Sequence, residues 1–511
     1  MELELKKAEL TAYETGGEVV LTQEETAETI VPDYCPDIAR IIETTGAVYL
    51  HSRDLRDGKG EISGTVRVTV LYTPEAEGGI RALEFSMPFR CEAEHPLLHG
   101  CQYMHAETET ELLETRMLNP RKIFTRCKMI VHLQGYRKAT GNYSVDLQAD
   151  PSLGMERKTE KQRVVCLTQI VEKDFTFTDT LNLSVGRDGV AEILSRQVFS
   201  SISETKSVGN KLIIKGVVSL GVLYRSTGGK YCSTAGELPF SQIMETEGAM
   251  DAADVSVKVQ ATGCDIQIDG DDPEGRQLAV TVYFHGVAML RETKELELLS
   301  DLYSTAYDVR YEAAPLSLIA YREEIKRRQT VREILEIGVV PDSLLTASVH
   351  CGRVTVSREG GTAVLRAAVT VKALYLDEGG APLKAERSVD VSCSLELPED
   401  CVLYATAACA EEIQGSLSDH GIEVRFPVDF CVEAEKSIKK VCISLVELDR
   451  EQPKVMAGVP SLVLRCMGKQ ETAWDLAKKY NTTIAAILAA NQVEEEPLPK
   501  DRLLLIPRKR G

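Results

Sequence analysis

The sequence predicts a mainly β protein: three tandem β-rich, sandwich-like domains, each with a short helix, followed by a small βααβ domain. Three observations predict this fold class. One strand pattern recurs about every 150 residues, further alternating runs surround each copy, and the last part of the chain changes to helical periodicity. Many short alternating strands separated by polar turns are typical of a sandwich or a curled sheet.

The recurring strand ends each time in the same Leu-Tyr pair. "ISGTVRVTVLY" ends at Tyr72, "IKGVVSLGVLY" ends at Tyr224 and "LRAAVTVKALY" ends at Tyr375, so the spacings are 152 and 151 residues. All three copies alternate apolar and polar side chains, which is the pattern of a strand with one face in a core. Because this period is far too long for a solenoid, it predicts tandem domains.

A second marker supports the repeat and shows that the third copy has diverged. "SMPF" at 86–89 recurs as "ELPF" at 237–240. In the third unit Ala367 stands where Gly64 and Gly216 stand in the first two, and no clear Pro-Phe pair follows it. We expect three equivalent β-rich units of about 150 residues, of which the third is more diverged.

Each unit is predicted to open with a short helix. The segments are "CPDIARII", "GRDGVAEILS" and "TVREILEI". In the first segment, Pro36 and Asp37 suit the start of a helix. Cys35 has no cysteine at the matching place in the other two units, which favours a structural role over a catalytic one.

These markers predict the domain boundaries. The first three domains are expected at 1–158, 159–315 and 316–450, with the third diverged. A polar linker at 451–460 then leads to a last domain at 461–511.

The composition excludes some classes of function. The net charge of −19 argues against a general nucleic-acid binder and against a binder of anionic membranes. No stretch approaches the roughly 18 apolar residues of a membrane span, and the N-terminus lacks the features of a signal peptide. The 14 cysteines are scattered, without a C-x-x-C pair. We therefore expect a protein that starts in the cytosol, with thiols that act as small buried hydrophobes.

The last domain reads as strand, helix, helix and strand. "SLVLRCM" is a short strand pattern, "TAWDLAKKYN" and "TTIAAILAAN" have helical spacing, and "DRLLLIPR" closes as a strand. Thr472 is a candidate N-cap of the first helix. Trp474, the single tryptophan, is either a core anchor or a stacking platform for a sugar, and its helical spacing with Ala477 and Lys478 favours the core.

This segment resembles a LysM domain over about residues 461–508. The resemblance rests on Thr472, Trp474, Leu476 and Ala477, on "IAAILAAN" and on "LLLIP". It implies a shallow groove for N-acetylglucosamine polymers such as peptidoglycan, made by the loop before the first helix and the loop after the second. The groove residues that it implies here are Gln470, Glu471, Thr472, Asn491 and Gln492.

The chain departs from the LysM pattern in that groove. Gln470 and Glu471 stand where the family has Gly-Asp, Asp501 stands where it has glycine, and Glu494–Glu496 add negative charge. Glycines at such places allow unusual backbone angles and close approach of a ligand. The departures weigh against glycan binding.

Several β units with the opening "VPDYCPDIARII" resemble the SPOCS domain of bacterial spore-coat morphogenesis proteins. SPOCS units followed by a LysM domain resemble the SipL and SpoVID group. The resemblance implies a non-enzymatic scaffold in spore coat assembly, without cofactor, catalytic residues or metal, made in the mother cell and recruited to the forespore surface. Its LysM domain would dock the coat's ATP-hydrolysing basement-layer protein, with other coat proteins as further partners. The alternative is an anchor that binds peptidoglycan.

A cell-wall enzyme is a third hypothesis, and it would need a polar cluster in one unit only. The sole candidate is "HPLLHGCQYMH", which contains His95, His99, Cys101 and His105. Zinc accepts these ligand types, but the spacing matches no closed zinc site and the second unit has no histidine or cysteine there. The acidic segment 265–275 is expected to be a hairpin turn because it lacks the spacing of a calcium loop.

Overall fold

The computed structural model describes residues 3–76, 78–248, 253–409, 413–418, 421–454, 458, 460–468, 471–499 and 503–508.

The first unit is a two-sheet arrangement of six strands. These are β1 (Glu4–Ile30), β2 (Ile38–Arg56), β3 (Lys59–Pro74), β4 (Arg81–Glu94), β5 (Tyr103–Asn119) and β6 (Lys122–Gln148). Strands β2, β3 and β4 form an antiparallel meander, and β6 pairs with β1 on one side and β5 on the other. One-turn 3-10 helices lie at Pro96–Leu98 and Pro151–Leu153.

The second and third units repeat this order. The second contains β7 (Met155–Asn182), β8 (Val190–Val208), β9 (Lys211–Ser226), β10 (Tyr231–Glu245), β11 (Ala253–Ile268) and β12 (Gln277–Ser304). The third contains β13 (Tyr307–Leu335), β14 (Pro341–Glu359), β15 (Thr362–Asp377), β16 (Pro382–Glu396), β17 (Val402–Ala408), β18 (Gln414–Ser418) and β19 (Gly421–Pro453). In the third unit the fifth strand is split, because β17 and β18 both pair with β19. The predicted mainly β fold with repeated units is confirmed.

The core of each unit lies between its meander and its long strands. In the first unit Val66, Val68 and Val70 of β3 are buried in one cluster with Met129 and Val131 of β6. Alternation along β3 places these valines on one face of the meander. Each such side chain contributes about 1.5–3 kcal/mol when fully removed from water. The strand pattern that defines the repeat is therefore the central strand of each sandwich.

The divergence of the third unit follows from packing across the meander. Gly64 lies opposite Phe89 in the β3–β4 ladder, and a Cβ on Gly64 would clash with that ring. Gly216 lies opposite a phenylalanine in the same way. In the third unit Ala367 lies opposite Val391. A larger residue on the central strand is therefore matched by a smaller one on its neighbour, so the pair conserves volume.

The short helix predicted at the start of each unit is wrong. The first two predicted segments run into strands β2 and β8, and the third forms the end of β13. The equivalent positions in the three units are Ile38, Val190 and Pro341, each of which begins the first strand of its meander, β2, β8 or β14. A short apolar run does not distinguish helix from buried strand, and here pairing with the central strand decides the outcome.

The described strands also bear on the domain boundaries. The boundary expected after residue 158 falls inside β7, the one after 315 falls inside β13, and β19 extends into the expected linker. We propose boundaries in the turns at 149–154 and 305–306, where one long strand ends and the next begins.

The three units meet in several apolar clusters. One contains Leu71, Leu223 and Leu374, the equivalent leucines of the repeated Leu-Tyr pair, all buried together. Another is formed where the long strands extend beyond the sandwiches, and it includes buried Val164 and Leu318. We call the parts of β1, β6, β7, β12, β13 and β19 that extend beyond the sandwiches the stem.

The C-terminal module has the predicted order of strand, two helices and strand. Its elements are β20 (Leu462–Cys466), α1 (Ala473–Tyr480), α2 (Ile484–Ala490) and β21 (Leu503–Pro507). Strands β20 and β21 pair antiparallel. Leu504 and Ile506 are fully buried against Leu476, Ala477 and Ile487 of the helices. One face of this two-stranded sheet therefore forms the small core.

Candidate functional site

Helix α1 of the C-terminal module begins at Thr472, as predicted. The Thr472 hydroxyl accepts a hydrogen bond from the Asp475 backbone N–H at 3.2 Å, and the Asp475 carboxylate accepts one from the Thr472 backbone N–H at 2.9 Å. This reciprocal pair is a capping box, which satisfies two free donors of the helix end. The polar group of Thr472 is therefore used to start the helix.

Glu471, a predicted groove residue, is tied into the same loop. One of its carboxylate oxygens lies 2.5 Å from the Arg465 guanidinium, and the other accepts a hydrogen bond from the Gly468 backbone N–H at 2.8 Å. These two bonds hold the loop before α1 against β20. Gln470, the neighbouring predicted groove residue, lies outside the described residues.

Asn491 and Gln492, the predicted groove residues after α2, lie at the end of that helix. The Asn491 side-chain amide donates to the carbonyl oxygens of Ile487 and Leu505, both at 2.7 Å, and its oxygen accepts from the Leu505 N–H at 2.8 Å. Asn491 therefore joins α2 to β21. Gln492 has a left-handed backbone, with φ of 56°.

Trp474 connects the module to the stem. It is only 6% exposed, and its indole N–H donates to the Asp301 carboxylate at 2.7 Å. Its ring packs edge-on against Tyr303 with 4.9 Å between ring centroids. Lys478, one helical turn later, lies 2.5 Å from the same carboxylate, and Tyr311 donates to it at 2.8 Å. The structure therefore supports the core reading of Trp474.

Asp301 is the charged centre of this contact. Burial alone would raise the pKa of its carboxyl group, but hydrogen bonds from Lys478, Trp474 and Tyr311 outweigh burial, so the pKa is lowered. The pKa of Lys478 is raised, because its bond to Asp301 outweighs the effect of its own burial. Both groups therefore stay charged through the neutral range.

Further hydrogen bonds fix the module on the stem. The Tyr303 hydroxyl donates to the Thr482 carbonyl oxygen at 2.6 Å. The Lys454 ammonium donates to the Asn481 side chain at 2.8 Å and to the Ser304 carbonyl oxygen at 2.9 Å. The helix side of the module thus rests on β12, β13 and the chain segment that leads into the module.

The comparisons with known proteins identify the β units. Residues 37–116 and 189–269 match the family model described as SipL, SPOCS domain. These two regions are SPOCS domains of the kind found in SipL. The matched residues begin at the turn into β2 and β8, cover both meanders and continue through most or all of β5 and β11. No curated protein matches the chain.

The opening of the first SPOCS domain is a turn held by Arg121. The guanidinium donates to the carbonyl oxygens of Val31 and Cys35, each at 2.8 Å. It also pairs with Asp33 and Asp37, each at 3.0 Å. The aspartates and prolines of "VPDYCPD" therefore shape a loop around one arginine from the turn between β5 and β6.

Cys35 has a structural environment. Its side chain is half-buried and packs against the core of the first SPOCS domain. Burial raises the pKa of its thiol above the ordinary value, which lowers the population of the reactive thiolate. This agrees with the structural role predicted for Cys35.

A cavity of about 930 Å³ is lined by residues of all three β units. Its lining includes charged side chains from each unit, among them Glu107 of the first, Lys258 and Arg291 of the second, and Arg322 and Glu433 of the third. The Arg322 side chain is 2% exposed, whereas the side chains of Glu107, Lys258 and Glu433 are 41%, 48% and 27% exposed.

These charges form a chain that crosses from unit to unit. Lys258 lies 3.1 Å from Glu107 and 3.9 Å from Glu433. Glu433 in turn lies 2.9 Å from Arg322. Burial tends to raise the pKa of Glu107 and of Glu433. The hydrogen bond with His105 and the charge of Lys258 outweigh burial and lower the pKa of Glu107, and the charges of Lys258 and Arg322 lower that of Glu433. A chain of ion pairs therefore links the three units along the cavity.

The side chains of His95, His99, Cys101 and His105, the candidate metal ligands, do not meet at a common point. His95 accepts a hydrogen bond from the Leu97 N–H and His99 ends the same 3-10 helix. Cys101 lies 3.5 Å from the Leu97 carbonyl oxygen, and His105 pairs with a carboxylate at 2.9 Å. Among the described residues, no group of three or more His, Cys, Asp or Glu side chains is arranged to hold a metal ion.

The acidic segment 265–275 contains the end of β11 and most of the turn that leads to β12, in agreement with the predicted hairpin turn. Its Asp272 carboxylate accepts hydrogen bonds from the backbone N–H groups of Glu274 at 3.1 Å and Gln277 at 2.8 Å. The acidic side chain thus stabilises its own turn.

None of the helices in the described part of the chain is long and apolar enough to cross a membrane.

Sequence reasoning missed the contact of the module with the stem and the charged cavity. Asp301 and Trp474 are 173 residues apart, and Lys258 and Glu107 are 151 apart. Single charged residues in alternating strands give no local signal of such partners. The one available hint was that Trp474 is the single tryptophan and lies on a predicted helix.

Proposed function

We propose that this chain is a non-enzymatic scaffold of the spore coat, in which the C-terminal module is a LysM domain that docks a protein. The family match of the β units supports the coarser part of this proposal, a sporulation-related coat role. The partner proposed for the module is the coat's ATP-hydrolysing basement-layer protein, and the β units present surfaces for other coat proteins. The chain would be made in the mother cell and recruited to the forespore surface.

The observation that carries the docking proposal is the state of the predicted sugar groove. Glu471, Thr472 and Asn491 use their side-chain polar groups inside the module. Trp474, the aromatic group that could stack on a sugar, faces Asp301 of the stem. A glycan needs free polar groups and an accessible aromatic face. A module that has turned these groups inward is better suited to a protein partner.

The third β unit is proposed to be a SPOCS domain as well. Its strands repeat the pairing order of the two matched units, from the meander β14–β15–β16 to the long pair β13 and β19. At Ala367 and Val391 the residues differ from those of the first two units, and the strand pairing is retained.

The test is a binding experiment with the full chain and a variant that ends after Lys454. Binding of the ATP-hydrolysing basement-layer protein from the same organism is titrated, and N-acetylglucosamine oligomers and purified peptidoglycan are titrated in parallel. We expect the full chain to bind the protein, the shortened chain to lose that binding, and neither chain to bind the glycans. Glycan binding that is lost with the module, together with no protein binding, would instead establish a peptidoglycan anchor.

A further inference from the structure

Arg291 is a buried cation of the cavity whose hydrogen-bond partners in the described part of the chain are uncharged. It lies on β12, lines the cavity and is 5% exposed. Its guanidinium donates to the Ser256 hydroxyl at 2.8 Å and to the Met289 sulfur at 3.5 Å. A thioether is a weak acceptor. Because the transfer of a charge out of water is costly, a buried charge is normally paired with an opposite one.

The position of Arg291 is fixed by the meeting of the first two units. Strand β12 lies between β11 and β7 in the sheet. In the β7–β12 ladder Arg291 pairs with Leu167, and Leu167 pairs with Tyr13 of β1 in the first unit. Tyr13, Leu167 and Tyr136 all line the cavity together with Arg291. The backbone of Arg291 is therefore held on a central strand where two units touch.

The carboxylates around Arg291 are directed to a different cation. Glu433 lies 2.9 Å from Arg322, Glu435 lies 3.5 Å from the Nε atom of the same guanidinium, and Asp254 lies 3.7 Å from it. Burial and the neighbouring charge of Arg322 lower the pKa of Arg291, and the attraction of Glu433 and Glu435 does not offset them. Arg291 is therefore a buried cation with too little counter-charge.

The cavity offers room and access for a ligand at this cation. Its volume of about 930 Å³ lies within the range of small-molecule sites, roughly 300–1,000 Å³. The lining residues Glu107 and Lys258 are partly exposed, so the cavity opens to solvent on their side. An arginine has five N–H donors in a planar fork, and the bonds to Ser256 and Met289 use two of them. Carboxylate and phosphate oxygens match this fork and accept two parallel hydrogen bonds from it.

We infer that the cavity is a binding site for a small molecule that carries a carboxylate or phosphate group, and that Arg291 binds this oxyanion. Water would satisfy the N–H donors, whereas an oxyanion also supplies the counter-charge. Because all three units line the cavity, a bound ligand would stabilise their arrangement as well. The inference does not depend on the docking role of the C-terminal module.

The test measures thermal unfolding and binding heats of the full chain with acetate, citrate and inorganic phosphate, against sodium chloride at equal ionic strength. We expect a saturable rise in Tm with at least one oxyanion and no such rise with chloride. The acetate and citrate arms report a carboxylate ligand, and the phosphate arm reports a phosphate ligand. Arg291→Met should weaken the Kd by about tenfold or more. Arg291→Lys should bind with intermediate affinity, because lysine keeps the charge but lacks the planar fork.

The stability of the unliganded variants separates a ligand site from a packing role. In chloride alone, Arg291→Met should have a Tm equal to or above that of the unchanged chain, since methionine fills similar space and removes a poorly paired buried charge. The matched control is Arg126→Met, at a partly exposed arginine that pairs with Glu24 at 2.8 Å and does not line the cavity. This control should leave the Kd for the oxyanion unchanged.

Three results would overturn the inference. The first is a rise in Tm that is the same for chloride and for all oxyanions, which would mean that ionic strength alone acts on the chain. The second is an oxyanion Kd that is unchanged in Arg291→Met, which would place the anion at another site. The third is a lower Tm for Arg291→Met in chloride together with no binding of any oxyanion to the unchanged chain. Arg291 would then serve only the packing of the units.

Discussion

The three β units meet through two kinds of contact, one apolar and one charged. In the apolar cluster the same position of each repeat is used, since Leu71, Leu223 and Leu374 occupy equivalent places on the central strands. In the cavity each unit contributes a different group, with Glu107 from the first and Lys258 from the second. The residue type is thus repeated at the apolar meeting place and varies from unit to unit at the charged one.

This difference indicates how the divergence of the repeats affects the arrangement of the three units. An apolar contact made of equivalent leucines would fit any order of the three units, because the side chains are interchangeable. A chain of ion pairs fits only one arrangement, because a swapped unit would bring like charges together. Leucines thus supply burial at the meeting of the units, and charges specify which unit lies beside which.

The largest effect is expected from Leu223→Ala in the apolar cluster. Leu223 is buried against leucines of both other units, so the truncation leaves a cavity that no single unit can close. We expect a loss of about 2–5 kcal/mol in the free energy of unfolding. Denaturant unfolding measures it, with Leu118→Ala at an exposed site as the control. A loss no larger than that of the control would mean that the cluster does not hold the units together.

The next effect is expected from Glu433→Gln in the cavity. The change removes the carboxylate that faces both Arg322 and Lys258, and it leaves buried cations without a full partner. We expect a loss of about 3 kcal/mol. The double variant with Lys258→Met should lose less than the sum of the two single variants, since these residues share one network. Strict additivity in that cycle would show that the ion pairs do not act as a unit.

The contact of the module with the stem combines both kinds of contact, and Asp301→Asn tests its charged part. The change leaves the Tyr303–Trp474 ring contact but removes the charge that Lys478 faces. We expect a cost of about 1–3 kcal/mol, confined to docking of the module. Trp474 fluorescence would report undocking, whereas the main unfolding transition should not move. Because the pKa of Asp301 is lowered, its contribution is present above the ordinary carboxyl range and is lost as the pH falls through the folded-state value.

The sequence predicted the sandwiches well because their signal is local. Alternation along β3, β9 and β15 and the common Leu-Tyr pair are visible within a dozen residues. The same local reasoning placed helices at the start of each unit, where β2 and β8 form, because a short apolar run fits either structure until its partner strand is known. The contact of Asp301 with Trp474 joins residues 173 apart, so no local pattern could reveal it.

The predicted groove residues illustrate the same limit at the candidate site. Thr472 was predicted as an N-cap, and it is one, because capping depends on the next three residues. Asn491 and Glu471 were expected to face a ligand, whereas they bond to Leu505 and Arg465 of their own module. Whether a polar side chain faces outward depends on which strand packs beside it, and that is decided by tertiary structure.

The smallest expected effect is a gain, from Glu43→Gln at the edge of the apolar cluster. Burial raises the pKa of Glu43, and the nearby Lys372 and Lys384 of the third unit offset this only in part. At neutral pH the charged form therefore destabilises the folded chain, and this penalty is relieved as the pH falls through the raised value. We expect Glu43→Gln to raise the Tm at pH 7 by a few degrees, about 1 kcal/mol or less, and the advantage to vanish below the ordinary carboxyl value of 4.5.

The matched control for this gain is Glu204→Gln, at an exposed carboxylate whose pKa is lowered by Lys215. Loss of that pair should leave the Tm unchanged or slightly lower at pH 7, the opposite direction to Glu43→Gln. A lower Tm for Glu43→Gln at pH 7 would show that the lysines of the third unit fully offset the burial of Glu43. Glu43, at the edge of the leucine cluster, would then be part of the charged contacts between units.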